Sequence, residues 1–570
     1  MSTLVFGGSR VRVRLVALSA DRRAATVLFA IGIVLTALTW NTWGDLGRDT
    51  GYDLVAASRV AHGQIPYADF TYYYGPLAPF VLGIAAWLGG AGLAPAVVVG
   101  LLAVALIVAL TYLLARAFVG PLGAALASTI VLSVALAPTN FSYVLPHTSA
   151  MTFGVAAMLG MLLALTRSRK ATAGLCLGIV ALTKPELELA AIVAAAAWCA
   201  SSRTSLRDVV RLALPAVAIP AAVYGAFLTQ VSLHTLVFDN LYPTAVLRAG
   251  GDRLLRLHAP LTASSLAHHA EHIALYGIGA GALLALGAIV AGAGPRLRLA
   301  LAAAAAGAIV VAFAELETTR SALQLVYGWI PGGAFLAAVV IAVRKPRSSD
   351  ELALTVALAL AGGTTYAAFY LLSARAQTAV YFAPLAAVFL VVLHLRALPR
   401  TRTQIALGAG WLAFLAAVGI ALAIKDARAE TVVLSTPSGT VRVAPADAGA
   451  YAGALAAVDR LTLTSEPVLF APQLSALYVL SGRPDPLAQI SLLPGALPSV
   501  SAERQAIARL NAKHVRVIVT DTRTFAEYGN GSFGTSFDRT LAAWIARNFN
   551  RSGAFAGKTH TLVVWRRSSS

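Results

Sequence analysis

The chain has 570 residues, of which 58% are hydrophobic and only 12% are charged, and its formal net charge is +19. Soluble proteins carry about 25% charged residues, so the composition excludes an ordinary soluble protein and indicates lipid as the main solvent. The positive charge does not indicate a nucleic-acid partner, because the basic residues stand in short breaks between apolar runs and form no continuous basic face.

Apolar runs recur from Ala24 to Ile424, and a run of about 20 residues crosses a bilayer as a helix. Helices satisfy their backbone groups internally, so the sequence predicts a polytopic α-helical membrane protein. The basic breaks follow the positive-inside pattern, which places the loop 41–76 outside the cytoplasm. The run 77–90 is short. If it does not fully cross, the pattern gives about 13 spans and an outer C-terminus; otherwise one side assignment is wrong.

The tail differs from the rest of the chain. From Glu430 onwards the apolar runs shorten to strand length, as in TVVL, VRVA, PVLF, VRVIVT and TLVVW. Helical patterns at 446–459, 499–511 and 535–548 alternate with them, which favours an α/β fold. The sequence therefore predicts a membrane module, 1–429, and a soluble extracytoplasmic α/β domain, 430–570.

The first outer loop, 41–76, is rich in aspartates and tyrosines. An aspartate near the membrane surface can accept a proton from a hydroxyl nucleophile when burial raises its pKa. Tyrosines offer flat faces and hydroxyls that suit sugars or isoprenoid chains. Structural roles are also open: Asp49 suits a cap for a helix beginning near Tyr52, Asp53 lies one turn later on the same face, and Asp69 suits a turn.

Other ionisable residues also collect on the predicted outer face, near the ends of apolar runs. Such groups are costly there unless they have a partner or a function. They are Asp45, His147, Lys184, Glu186, Glu188, Asp239, Asp252, Glu315, Glu317, Arg320 and Arg375. We expect the set to share an outer cavity.

The loop motif D-x-G-x-D-L-x-x-A-x-x-V-x-x-G-x-x-P-Y-x-D-F, followed by Y-G-P, resembles the first outer loop of GT-C-fold glycosyltransferases. It is most similar to the protein-mannosyltransferase-like and aminoarabinose-transferase-like bacterial group. Those enzymes pass a sugar from a polyprenyl-phosphate carrier to an acceptor outside the cytoplasmic membrane. The resemblance implies that Asp49 is the catalytic aspartate, and that Gly63, Pro66, Tyr67 and Asp69 form the G-x-x-P-Y-x-D element.

Two later segments resemble the same family at fewer positions. The segment 373–388 matches a basic residue followed by Y-x-x-P at the start of a span, which implies corresponding roles for Arg375, Tyr381 and Pro384. The basic residue would suit the carrier phosphate. The run LTKPELEL matches a family segment that contains a lysine, here Lys184. The tail also looks like the soluble outer domain of many members.

The chain departs from the family at two places that concern a metal. Many relatives have an Asp-Glu pair at the first site, where this chain has Asp49 and Thr50. His147 is the only ionisable residue in the loop 138–147, where several branches have an acidic residue. A divalent metal therefore stays an open possibility.

The resemblance implies an inverting transfer in which Asp49 deprotonates the acceptor hydroxyl and an outer-face cation stabilises the leaving phosphate. The residues expected to contact substrate are Asp53, Tyr67, Asp69, Tyr72, His147, Lys184, Glu186, Arg320, Arg375 and Tyr381. The acceptor is a cell-wall glycan, a lipid or a protein, and the location is the cytoplasmic membrane of a bacterium. The alternative is a lipid or solute transporter or flippase, which would need polar residues at mid-membrane depth.

Overall fold

The computed structural model describes residues 5–46, 50–138, 142–250, 263–323, 355–358, 375–529 and 531–568. Helices make up almost all of its first part. In chain order they are α1 (Val5–Leu38), α2 (Thr50–Ala61), α3 (Leu77–Gly89), α4 (Leu93–Ala115), α5 (Pro121–Ala135), α6 (Ser149–Thr166), α7 (Lys170–Val180), α8 (Pro185–Ser201), α9 (Leu206–Phe227), α10 (Ala263–Gly292), α11 (Pro295–Ala314), α12 (Leu316–Leu323), α13 (Arg375–Val392) and α14 (Arg402–Ala429). Two π-helical segments, Thr235–Leu241 and Leu393–Ala397, accompany them.

Several of these helices suit a membrane. Within the described residues, six are long and apolar enough to cross one, judged by length and composition alone: Leu93–Ala115, Ser149–Thr166, Leu206–Phe227, Ile273–Gly292, Pro295–Ala314 and Arg402–Ala429. Four shorter apolar helices accompany them. The predicted helical membrane-type fold is confirmed, whereas the predicted count of about 13 spans is not.

The short run 77–90 forms α3, a helix of 13 residues. At 1.5 Å per residue it is about 20 Å long, which is less than the ~30 Å hydrocarbon core of a bilayer. This length fits the alternative in which the run does not fully cross. Pro76, the last residue of the Y-G-P that follows the loop motif, directly precedes α3. Proline is tolerated where a helix begins, so the Gly75-Pro76 pair by itself indicates this helix start.

Small residues let the helices approach one another. A Cβ added at Gly174 would overlap the backbone carbonyl of Leu212, where α7 meets α9. A Cβ at Gly100, on α4, would overlap the backbone of Val144. Close backbone approach at small residues is the usual way in which membrane helices pack, since lipid offers no hydrophobic drive for their association.

The tail is an α/β structure, as predicted. Its strands are β1 (Val432–Thr436), β2 (Gly439–Val443), β3 (Val468–Ala471), β4 (Val517–Asp521), β5 (Thr524–Phe525), β6 (Gly531–Ser532), β7 (Phe549–Ala556) and β8 (Thr561–Arg567). Its helices are α15 (Pro445–Leu461), α16 (Ser475–Ser481), α17 (Val500–Ala512) and α18 (Arg539–Asn548). The main sheet has the order β3-β4-β8-β7, with β3 parallel to β4 and the other pairs antiparallel. The sequence pattern missed β7, because this edge strand is mostly exposed and has no apolar run.

The hairpin β1–β2 joins the tail to the membrane module. Arg442 donates its backbone N–H to the carbonyl of Asn41 over 2.7 Å. The side chain of Asn41 donates to the hydroxyl of Thr440 over 2.8 Å, and Leu93 donates its backbone N–H to Ser438 over 2.9 Å. The C-terminal α/β domain therefore rests on the end of the helical part that carries the first loop.

Candidate functional site

Asp49, the residue predicted to be catalytic, lies outside the described residues. Helix α2 begins at Thr50, two residues before the predicted start near Tyr52. Asp49 therefore immediately precedes the helix in sequence, which is where a capping residue stands. The catalytic role and the capping role both stay predictions.

Asp53 joins α2 to α6. The carboxylate is buried, with 2% of the residue exposed, and accepts a hydrogen bond from the hydroxyl of Tyr72 over 2.7 Å. Its second oxygen accepts the backbone N–H of Ser149, the first residue of α6. The N-terminus of a helix carries a partial positive charge that stabilises an anion. Asp53 thus fixes the first loop to the start of a candidate span.

Burial raises the pKa of Asp53, although the hydrogen bonds from Tyr72 and Ser149 and the nearby His147 act in the opposite direction. Both carboxylate oxygens already accept hydrogen bonds. The cavity beside Asp53 has a volume of only about 10 Å³, which is roughly the room needed for one water. In this structure Asp53 orients the loop, and a contact with substrate stays a prediction.

The tyrosines of the loop pack on one another. The ring of Tyr52 stacks on those of Tyr72 and Tyr73, with centroids 5.5 and 5.8 Å away. Tyr67 donates its hydroxyl to the carbonyl of Tyr74 over 2.6 Å. Tyr67 and Tyr72 are both buried, so neither presents the open face to a sugar that the sequence suggests. They form the hydrophobic centre of the loop.

Tyr381 lies near the same group. It is buried and stacks on Tyr143 with ring centroids 5.8 Å apart, and Tyr143 lines the small cavity beside Asp53. The structure therefore gathers Asp53, Tyr72, His147 and Tyr381 from segments that are distant in sequence.

The turn that contains Lys184 meets the end of the first loop. Gly75 donates its backbone N–H to the carbonyl of Thr183 over 2.6 Å, and a Cβ at Gly75 would overlap the backbone of Leu182. The ammonium of Lys184 lies 5.6 Å above the ring of Tyr74 and 3.5 Å from the carboxylate of Glu186. The sequence predicts a shared outer position for this turn and the loop, and their contact fits that prediction.

Of three other predicted residues, two have partners of their own and the third has no described side chain. Asp69 accepts the backbone N–H of Ile65 over 2.7 Å, as a turn residue does. Arg320 forms ion pairs with Asp426 at 2.7 Å and with Glu317 at 3.4 Å. Arg375 begins α13, and its side chain lies outside the described part of the chain.

Sequence reasoning missed how closely the C-terminal α/β domain packs on the motif itself. A Cβ at Gly51 would overlap the backbone of Ser475 and Ala476, at the start of α16. Glycine is unfavourable inside a helix unless a close approach requires it. The glycine of D-x-G-x-D is therefore a signal of contact with another backbone.

A buried ion pair reinforces this contact. Arg59, on α2, lies 2.6 Å from the carboxylate of Asp485, and their side chains are 10% and 3% exposed. Arg59 also donates to the carbonyl of Leu487, and Thr71 donates its backbone N–H to Ala488 over 3.0 Å. The sequence offers no pattern that pairs residues so far apart.

An apolar groove of about 580 Å³ runs between α7, α8 and α9. Its lining is almost wholly aliphatic, with Glu188 and Tyr224 as polar members. Glu188 is one helical turn beyond Lys184, and Tyr224 is one turn before Phe227, whose ring lies 4.9 Å from that of Tyr67. The groove thus begins beside the first loop and the Lys184 turn.

Across the residues that the structure describes, no group of three or more His, Cys, Asp or Glu side chains is arranged to hold a metal. The divalent metal that the sequence leaves open therefore stays untested.

No family model matches the chain, and no curated protein matches it. Among solved structures it is similar to the oligosaccharyltransferase AglB from Archaeoglobus fulgidus in complex with an inhibitory peptide and a dolichol-phosphate. The TM-score is 0.48 and the identity 15%, over 94% of this chain and 74% of that chain. ArnT from Cupriavidus metallidurans bound to undecaprenyl phosphate has a TM-score of 0.42 and an identity of 13%. Its apo state has a TM-score of 0.45 and the same identity. Both similarities cover 95% of this chain and 97% of the other. At these values the likeness establishes neither a family nor a function.

Proposed function

We propose that this protein is a membrane glycosyltransferase that moves a sugar from a polyprenyl-phosphate donor to a glycan, lipid or protein acceptor outside the cytoplasm. One observation carries the proposal: the first-loop motif, the Lys184 turn and the apolar groove meet at one end of the helices. A lipid-linked sugar has an isoprenoid chain, a phosphate and a sugar. The three features offer a counterpart to each part.

The groove between α7, α8 and α9 suits the isoprenoid chain, because its walls are aliphatic and each buried methylene contributes about 0.8 kcal/mol. Lys184 lies at the groove's loop end, where an ammonium can stabilise the phosphate as it leaves. Arg375 is a second candidate for this role, by its place in the matched motif. Glu186, 3.5 Å from Lys184, would hold the ammonium in place until the donor binds.

The sugar would react beside Asp49. Asp49 takes the proton from the acceptor hydroxyl, the oxygen attacks the anomeric carbon, and the bond from that carbon to the phosphate oxygen breaks with inversion. The polyprenyl phosphate departs with the electron pair, and the proton on Asp49 returns to solvent or to the phosphate. The residues after Asp49 support this role, because Asp53 ties the first turn of α2 to α6 and Gly51 seats it against α16. A base on a firmly held element needs little reorientation.

The test is turnover by the full chain in lipid nanodiscs, with a panel of polyprenyl-phosphate sugars as donors. Asp49→Asn should slow donor consumption by about 10²- to 10⁴-fold, the usual effect of losing a general base. Its thermal stability should change little, since asparagine also caps helices. Asp208→Asn is the matched control, because that carboxylate forms a surface ion pair with Arg211 at the start of α9, the end of that helix away from the first loop. Normal turnover in Asp49→Asn would exclude Asp49 as the general base. A wild-type protein that consumes no donor would refute the proposed glycosyltransferase activity.

A second experiment tests the groove. Ala196 lines the groove on α8, so Ala196→Trp should fill part of it and raise the KM of a long-chain donor. Losing the burial of two methylene groups corresponds to about tenfold. A farnesyl-phosphate sugar, with a much shorter chain, should be affected less. Ala218→Trp, at an exposed position of α9 outside the groove, is the control, and equal effects of the two variants would contradict this placement of the chain.

A further inference from the structure

A second cavity, the seam cavity, opens where the first loop meets the soluble domain, and its volume is about 400 Å³. Its polar lining residues are Arg59, Gln64, Asp69, Asp485, Arg509 and Lys513. The first three belong to the loop and the others to the soluble domain. The cavity is therefore complete only when the two parts are docked.

The floor of the seam cavity is fixed and close to neutral. Arg59 and Asp485 form a buried ion pair, and Arg59 is further held by the carbonyl of Leu487 and by the ring of Phe70, 5.3 Å from the guanidinium carbon. These contacts occupy the charges of the floor. They leave recognition of a ligand to the rim.

The rim carries unused donors. Arg509 and Lys513, four residues apart at the end of α17, are exposed and face the cavity together. Among the described residues neither has a carboxylate within ion-pair distance. Gln64 is also exposed, whereas one oxygen of Asp69 is engaged by Ile65. The rim therefore presents two free cations and an amide against a single carboxylate.

We propose that the seam cavity binds an anionic saccharide, a sugar chain that carries carboxylate or phosphate groups, as the docking site for the acceptor. This inference rests on the proposed glycosyl transfer. A guanidinium pairs with a carboxylate or phosphate through two parallel hydrogen bonds, and an ammonium adds a point charge. The side chains of Gln64 and Asp69 suit the hydroxyls of the sugar rings.

The position of the seam cavity agrees with such a role. Arg59 and Thr50 lie on the same helix, α2, nine residues apart, which is about 14 Å along the axis. A sugar chain held at the rim can therefore extend along α2 towards the start of the motif. The cavity is also lined in part by the C-terminal α/β domain, which the sequence predicts to lie outside the membrane.

The experiment measures binding to the full chain in nanodiscs, without donor, so that it does not depend on turnover. The probes are trigalacturonate, which carries carboxylates, mannose 6-phosphate, which carries a phosphate, and neutral maltotriose. Arg509→Ala should weaken binding of the preferred anionic probe about tenfold, the usual size of a charge-assisted hydrogen bond. Arg504→Ala removes an exposed arginine from the opposite face of the same helix and should change binding less than twofold, as expected for a distant, screened charge.

Binding of either anionic probe with this pattern supports the proposal, and the preferred probe identifies the anion. Equal losses in Arg509→Ala and Arg504→Ala would overturn it, as would a wild-type protein that binds neither probe or binds maltotriose equally well. Thermal unfolding of each variant shows whether it is folded. If the probes do not bind as expected but Asp49→Asn still slows donor consumption, the docking site is refuted and the transferase is not. If the wild-type protein consumes no donor, the transferase itself is refuted.

Discussion

A buried carboxylate lies at each end of helix α2: Asp53 belongs to the helix itself, and Asp485 belongs to the tail and contacts Arg59 of the helix. The two carboxylates have different surroundings. At the start of α2, Asp53 accepts hydrogen bonds from Tyr72 and from the first N–H of α6, beside a cavity of about 10 Å³. Towards its end, Arg59 pairs with Asp485 at the floor of a cavity of about 400 Å³. The first arrangement joins helices and leaves room for about one water, whereas the second leaves free donors around an open space. Two charged residues of the same loop, Asp53 and Arg59, therefore have different structural roles, and the difference follows from their burial and their partners.

Desolvation dominates the protonation of both carboxylates. Burial raises the pKa of Asp53 even though neutral and backbone donors oppose it. Burial also raises the pKa of Asp485, to about 6, despite the cation of Arg59 beside it. A partner reduces the cost of burying a charge but does not remove it.

The largest effect should come from breaking the ion pair. Arg59→Leu leaves Asp485 buried without its cation, which typically costs about 3–5 kcal/mol of unfolding free energy. The double variant Arg59→Leu/Asp485→Leu removes both charges and should lose much less, because an apolar pair of similar size needs no desolvation of charge. Thermal unfolding of both variants in nanodiscs measures the difference. Equal losses would mean that packing, and not the unpaired charge, matters at this end of α2.

Asp53→Asn should cost about 2–3 kcal/mol, because the amide nitrogen would face one of the two donors now bound by the carboxylate. The donors are the hydroxyl of Tyr72 and the N–H of Ser149. Asp69→Asn, on the same loop, is the control. Its exposed turn should change stability by less than about 0.5 kcal/mol. If both variants are equally stable, Asp53 does not join α2 to α6, and its direct role in catalysis gains support.

The smallest effect is expected in the dependence of the unfolding free energy on pH. The folded-state pKa of Asp485 is about 6, above that of an unfolded aspartate, so its protonated form is favoured by folding. The stability that this carboxyl contributes is fully present below about pH 4 and is lost as the pH rises through about 6. A shift of about two pKa units corresponds to a total loss of about 3 kcal/mol, spread over this pH range, so the slope is at most about 1.4 kcal/mol per pH unit. Asp485→Asn should remove this part of the slope, which unfolding curves between about pH 4 and pH 7 can measure, and an unchanged slope would assign it to other carboxylates.

The sequence by itself determined the helical membrane module, the α/β tail and the start of α3 at Gly75-Pro76, because hydrophobic run length and local backbone preference are properties of neighbouring residues. The resemblance of the loop motif supplied the role of Asp49, which the described structure does not cover. Tertiary structure alone decided that Asp53 binds the start of α6, 96 residues away, and that Arg59 reaches the loop at Leu487, 428 residues away. It also decided that Arg320 pairs with Asp426 and Glu317. Such pairs depend on which distant segments pack together, and a carboxylate is a base, a cap or half of an ion pair only through the partners that packing brings to it.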